Sequence, residues 1–426
     1  MAAARPGRLL HGLALGLACA WSAPATAQIV SPPGDSAAFR DHGFLSLAVS
    51  SHPWSTLVAV TLVIPRGSAE DPDELSGAAW LLGEAVRSRA ERSLDVGEAT
   101  VTVEVGRAQT VLQALALPSA WEDAYDALLD AAFRDPIDGN AVERERASLL
   151  AVFRFESGAP VREFEVEFYG TLSRRGDRWG RDPRGTPESV GRITRGDLED
   201  LRIRVYRPRE AVVTVAGAVG SEAGVRVFPA GSEAGGTPRL GPRGRAPMWD
   251  DDDRRHLVRE VTNSWIGVAF AVPPDVPRTL LEFIRHRLEE ELNPEPADPD
   301  LFGSQVRIEE LPGGTVLLIE TAVLPEAQRR WEQRIAGTIE RLGERHRDPG
   351  SFRWHRRRFR SVRLTSDGAP EAEGLRMALD LLREGRVRDL ATEVWAMQPE
   401  QVEQAVDAFG GPRVLVFGPD LGQDGR

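Results

Sequence analysis

The sequence predicts an α+β protein of two similarly built lobes, and three observations carry this. Hairpin strands and amphipathic helices follow one another in the same order in each half. A Gly-, Pro- and Asp-rich stretch without periodicity, residues 229–253, separates the halves. The chain, at 426 residues with 41% hydrophobic and 28% charged content, has ample material for a large core.

Residues 1–27 have the form of a secretory signal. Arg5 and Arg8 precede an apolar run over 9–21, and Ala25-Thr26-Ala27 offers a small-residue cleavage site before Gln28. The run is short for a membrane span and no stop-transfer pattern follows, so an exported, periplasmic chain without a transmembrane segment after cleavage is expected. Cys19 is the single cysteine. Leu17-Ala18-Cys19 loosely resembles a lipoprotein box, but Gly16 stands where an apolar residue is preferred, so a lipid anchor through Cys19 is the lesser expectation. Cleavage after Ala27 leaves a mature chain with no disulfide.

The first lobe is expected over 28–228. Residues 44–50 and 56–64 read as strands around His52-Pro53. A helix follows Ser76-Gly77, with Ala78, Ala79, Leu81, Leu82, Ala85 and Val86 on its apolar side. Residues 99–105 and 108–117 alternate apolar and polar and read as a hairpin around Gly106-Arg107. Ser119 is expected to cap a helix ending near Phe133, ahead of Asp135-Pro136. A helical region over 141–155 continues past Pro160 towards Leu172, and Tyr206-Arg207-Pro208 leads into a strand over 211–216.

The second lobe, 254–426, repeats the plan. Residues 264–272 read as a strand and 278–292 as a helix. Residues 305–309 and 315–322 form a hairpin around Pro312-Gly313-Gly314. Helices are expected over 325–346, 351–364, 373–382 and 399–409, and a last strand over 413–417 ends at Gly418.

The net charge is −12, and every basic residue is an arginine. Such an acidic chain is a poor candidate for nucleic-acid binding. The acidic run 250–253 has no calcium-loop spacing after it and reads as a solvated hinge. Beyond His11 in the signal, the histidines (His42, His52, His256, His286, His346 and His355) show no metal-ligand spacing and are expected on the surface or in loops. The densest basic run is Arg353-Trp354-His355-Arg356-Arg357-Arg358-Phe359-Arg360. It could grip an acidic peptide or a phospholipid headgroup, but a helix face pairing with nearby carboxylates is preferred. No phosphate-binding Gly loop or nucleophile elbow is present.

Residues 67–86, GSAEDPDELSGAAWLLGEAV, carry the most informative pattern. Their frame resembles the segment bearing the inverted zinc motif H-x-x-E-H of the pitrilysin/insulinase-type zinc peptidases. Trp80 stands at the first histidine, Gly83 at the glutamate base and Glu84 at the second histidine. Further on, Gly185-Thr186-Pro187-Glu188-Ser189-Val190, Ile193-Thr194, Asp197-Leu198 and Tyr206-Arg207-Pro208 are similar to that family's motifs in order and spacing. The stretch beginning Glu145-Arg146 resembles the helix with the third zinc ligand, whose position falls on Val152, or on Leu150 if the frame slides by two.

The resemblance implies a pitrilysin/mitochondrial-processing-peptidase-like fold, two homologous lobes each with a mainly antiparallel sheet covered by helices. It also implies a zinc site, but the residues depart from it. A catalytic zinc takes three protein ligands and an open water position; indole offers no lone pair, glycine no side chain and valine no donor. No catalytic residue, metal or other cofactor is therefore expected at Trp80, Gly83, Glu84 and Val152. Trp80 is expected to pack over Gly83 and fill the vacated space. The second-lobe arginine–tyrosine pair of the family cannot be supplied, because Tyr125, Tyr169 and Tyr206 all lie in the first half. The expected function is that of a non-catalytic cell-envelope subunit, forming a peptide-binding chamber with an active zinc peptidase of the same family. Alternatives are a peptide-binding or scaffolding module working alone or as a homodimer, and a residual zinc peptidase centred on Glu84.

Overall fold

In a computed structural model the described residues are 28–29, 46–172, 177–220, 224–229, 254–311, 313–345, 348–366 and 368–420. The signal with Cys19, linker residues 230–253, His42 and His346 lie outside them. The first half contains β1 (Gln28–Ile29), β2 (Ser46–Ser51), β3 (Val58–Ile64), α1 (Ala78–Arg92), β4 (Ala99–Val105), β5 (Thr110–Ala116), α2 (Trp121–Phe133), α3 (Gly139–Phe155), α4 (Pro160–Thr171), α5 (Pro187–Arg192), α6 (Arg195–Val205), β6 (Val212–Gly217) and β7 (Gly224–Pro229). The second contains β8 (Arg254–Val258), β9 (Ser264–Ala271), α7 (Arg278–Leu292), β10 (Leu301–Leu311), β11 (Gly314–Val323), α8 (Gln328–Arg345), α9 (Pro349–Ser366), α10 (Pro370–Glu384), α11 (Leu390–Ala396), α12 (Pro399–Asp407) and β12 (Arg413–Gly418).

The first sheet runs β1-β7-β2-β6-β3-β5-β4 and the second β10-β11-β9-β12-β8. Read from the other end, the second sheet is β8-β12-β9-β11-β10, the same connectivity as β2-β6-β3-β5-β4. Each pairs one outer couple in parallel, β2 with β6 and β8 with β12, and is otherwise antiparallel across this shared core. The duplication read from element order is thus present in strand order, and the α+β class with mainly antiparallel sheets stands.

The period of two decides which face meets which helix. In β3, Val58, Val60, Leu62 and Ile64 join the core beneath α1 and α2. Val63 faces the other way, towards Met377, Ala378, Leu381 and Leu382 of α10. Every residue of β3 is buried, so the strand is covered on both faces. The second sheet is covered likewise: Ile266, Val268 and Phe270 pack under α7 and α8, while Ala269, Leu318 and Phe417 meet Phe164 and Phe168 of α4.

Those covering helices are exchanged. α4 comes from the first half and seals the second sheet; α10 comes from the second half and seals the first. Gly267 of β9 leaves room for the Phe168 ring, since a Cβ there would stand 2.7 Å from it. Gly374 of α10 sits against Thr61 and Thr214, and Thr214 Oγ1 donates to the Gly374 carbonyl at 2.7 Å. Glu373 beside it accepts from Ser50 Oγ at 2.7 Å and pairs with His52 Nε2 at 2.6 Å. The far end of α10 is fastened to the second lobe through Asp380. Its carboxylate takes Arg388 Nε at 2.6 Å, and the same guanidinium reaches Glu282 at 3.1 Å and Thr279 at 3.0 Å.

Several expectations need correction. Ser119 does not cap α2, whose N-cap is Ala120 with no side-chain bond. Pro229 closes β7 and does not belong to a loop. β7, β8 and α11 were not foreseen, and neither were α5 and α6, although Thr186/Ser189 and Thr194/Asp197 form capping boxes that mark their starts. His52 lies in the loop after β2 as expected, but its ring also pairs with Glu373.

Phe168→Ala removes a fully buried ring that holds α4 on the second sheet, and should cost about 3–5 kcal/mol in chemical denaturation. The His52–Glu373 pair sets a pH window. The hydrogen bond it donates to Glu373 raises His52 above its ordinary 6.5. Burial works against the Glu373 charge, but bonds from His52 and Ser50 outweigh it and hold it below 4.5. The histidine contribution is lost as pH rises through its folded value, and the glutamate contribution as pH falls through its own. The thermal advantage of the native chain over His52→Asn is therefore expected to be widest between 4.5 and 6.5, and to shrink on either side.

Candidate functional site

The motif frame opens at a locked helix start. Gly77 has φ 94°, a left-handed conformation that suits glycine. The buried Asp71 accepts from the backbone N–H of Gly77 and of Ala79, each at 2.8 Å. Burial pushes its carboxyl up to about 7 against those bonds. The later motif docks here. Ser189 Oγ donates to the Ser76 carbonyl at 2.7 Å, and Gly77 and Gly185 abut the backbones of Arg184 and Ser76 so closely that neither has space for a Cβ. Two segments more than a hundred residues apart, chosen from sequence for the same resemblance, are thus in direct contact.

Along α1 the predicted apolar residues Ala78, Ala79, Leu81, Leu82, Ala85 and Val86 are all buried. Trp80 is half-buried against this core and lines a cleft between the lobes. The nearest neighbours of a side chain at Gly83 would be the valines of β4 rather than the indole. A Cβ there would meet Val105 Cγ2 at 2.7 Å and Val103 Cγ2 at 3.1 Å, so the glycine exists to let α1 approach β4. Glu84 is held by Arg87 Nε at 2.6 Å, and Arg87 also reaches Glu91 at 2.6 Å and Glu145 of α3 at 3.3 Å. Val152 lies seven residues beyond Glu145, two turns along α3, and is 38% exposed; Leu150 packs partly into the core.

This frame does not fit a zinc ion. Of the four positions only Glu84 has an oxygen to offer, and Arg87 already engages it. Among the described residues no group of three or more His, Cys, Asp or Glu side chains could hold a metal.

The cleft beside Trp80 has a volume of about 830 Å³. Val103 and Val105 of β4, Tyr169 of α4, Arg307 and Glu309 of β10 and Arg383 of α10 contribute to its walls, so both lobes build it. Arg107 stacks 3.5 Å over the Tyr169 ring and donates through Nε to the Trp179 carbonyl at 2.9 Å. Burial lowers its pKa, and also raises that of Tyr169, whose hydroxyl donates to Glu309 at 3.2 Å. Burial and the neighbouring Arg278 bring Arg383 down to about 10. Sequence reading missed this wall, because an arginine in a turn and a tyrosine on a helix show no common pattern until the lobes close. β4 is the last strand of its sheet, so its outer edge pairs with no strand among the described residues.

Gly83→Ala offers a test of the helix–strand fit. Helix propensity favours alanine by about 0.5–1 kcal/mol, whereas overpacking against Val103 and Val105 costs about 1–3 kcal/mol. The variant should be less stable in urea; equal or greater stability would mean that β4 withdraws.

No protein-family model matches the chain. A probable mitochondrial-processing peptidase subunit beta of Schizosaccharomyces pombe is 26% identical over 186 residues, 42% of this chain but 40% of that protein's length. Among solved structures, a peptidase M16 inactive domain from Pseudomonas fluorescens superposes with a TM-score of 0.71 at 13% identity, over 90% of this chain and 97% of that one. A protease from Helicobacter pylori gives 0.72 at 13% identity, covering 93% and 100%. The periplasmic protease PqqL from Escherichia coli gives 0.62 at 11%, over 87% of this chain and 44% of its own. The fold of this chain is that of the pitrilysin/insulinase-type, or M16, peptidases.

Proposed function

We propose that this chain is a non-catalytic insulinase-type protein of the cell envelope that joins an active zinc peptidase of the same fold and supplies one wall of a peptide-binding chamber. The observation that carries the reading is the state of the motif frame: Ser76 and Gly77 contact Gly185 and Ser189 closely, while the side chains of Trp80, Gly83, Glu84 and Val152 offer no set of metal ligands. On this reading the chain holds no zinc and has no catalytic residue. The neighbouring cleft, flanked by the edge of β4 that pairs with no strand among the described residues, supports peptide binding, since an extended segment can add to an unpaired strand edge through main-chain hydrogen bonds. The inactive M16 domain and the periplasmic protease among the structural neighbours give the reading context. No helix among the described residues is long and apolar enough to cross a membrane.

One observation favours the peptide-binding module that works alone or as a homodimer: both walls of the cleft come from this single chain. The two are separated by mixing the purified protein with the zinc-bearing M16 peptidase of the same organism. A stable complex burying at least about 1,000 Å² and higher peptidase activity are expected. No complex, with peptides still bound, transfers the function to the module acting alone. Stoichiometric zinc in the isolated chain, with chelator-sensitive cleavage lost in Glu84→Ala, would overturn both in favour of a residual peptidase.

A further inference from the structure

Helix α9 carries six arginines, Arg353, Arg356, Arg357, Arg358, Arg360 and Arg363, and no acidic residue. Only Phe352 and Phe359 anchor it among its buried positions. Within the run 353–360 the expectation of pairing with carboxylates holds for Arg358 alone of its five arginines. Arg358 meets Glu290 and Arg363 meets Glu282, whereas Arg353, Arg356, Arg357 and Arg360 form no ion pair among the described residues. Glu290 and Glu393, on the adjoining α7 and α11, are engaged elsewhere as well, by Arg287 and by Arg386.

The arginines are instead interleaved with indoles. Arg356 lies 4.7 Å and Arg360 5.7 Å from the Trp395 ring centroid, and Arg358 lies 5.6 Å from that of Trp354. Trp354 and Trp395 nevertheless remain 56% and 52% exposed. Tryptophan beside arginine is the side-chain pairing favoured at a membrane–water boundary, where the ring enters the headgroup layer and the cation meets phosphate. The rest of the molecule opposes such contact, since the chain carries a net charge of −12. An anionic surface would therefore admit this face and repel others, fixing the orientation. No residue of α9 lines the interlobe cleft or the adjoining cavity of about 700 Å³, so docking leaves both open.

We propose that the Arg353–Trp354–Arg357 face of α9, with Trp395, docks on an anionic phospholipid bilayer. This rests on the surface alone and not on the peptide-chamber reading. The test is co-sedimentation with phosphatidylcholine vesicles, with and without phosphatidylglycerol. The full chain should bind only the phosphatidylglycerol vesicles and be released by salt. Arg353→Gln/Arg357→Gln should weaken binding roughly thirtyfold, from the usual contribution of a surface arginine near anionic lipid. Trp354→Ala should also bind more weakly while keeping its salt dependence. Arg204→Gln/Arg209→Gln, which removes the same charge from an exposed part of the first half, should bind as the native chain does. Equal binding to both vesicle types, or equal loss in the two double variants, would overturn the proposal. So would retention on an acidic polypeptide without any vesicle binding, which would assign the face to a protein partner.

Discussion

The exchange of α4 and α10 between the lobes is the constraint on which the rest of the structure depends. A sheet buried on one face only would expose Thr61, Val63 and Thr214 in the first lobe and Ala269, Leu318 and Phe417 in the second. Each lobe borrows the missing layer from the other. The two contacts solve the same steric problem in opposite ways. At one, the strand gives up its side chain at Gly267 to admit Phe168; at the other, the helix does so at Gly374 to sit on two threonines. Because α10 is bonded at Glu373 to the first lobe and at Asp380 to the second, it ties both sheets together.

That coupling creates the cleft. Its walls are the β4–β5 turn, α4, β10 and α10, which become neighbours only when both exchanged helices are seated. The charges of these walls are partly withdrawn from water, which is why Arg107 and Arg383 both have lowered pKa values. The motif frame sits at one edge of this space. Ser76 and Gly77 contact Gly185 and Ser189 there, while Gly83 serves packing and Glu84 ion pairing. Gly83 shows the packing best: a mid-helix glycine is unfavourable by about 0.5–1 kcal/mol, yet it permits a helix-to-strand approach that no larger residue allows.

An all-arginine basic set shapes the electrostatics throughout. Guanidinium groups bridge several carboxylates at once, as Arg87 and Arg388 do, and sit over aromatic rings, as Arg107 and Arg356 do. α9 stands apart because its arginines outnumber the carboxylates within reach. The same residue type thus builds buried joints in one place and an unneutralised surface in another, according to what the surrounding elements present.

By itself the sequence determined the local elements and the absence of donors. Alternation located β4 and β5, strand-length apolar runs located β3, β9 and β11, and helix-length apolar patterns located α1, α7 and α10, because these patterns record burial directly. The loss of lone pairs at Trp80 and Val152 was equally legible, since it is a property of the side chain and needs no neighbour. β7 and β8 escaped because they flank the Gly-, Pro- and Asp-rich stretch that reads as linker. Only the tertiary structure decided that α4 and α10 cross between lobes, that Gly83 answers to Val103 and Val105 rather than to Trp80, and that His52 meets Glu373. Each is a contact between segments whose sequence separation carries no periodic signal, so its energy appears only when the chain has closed on itself.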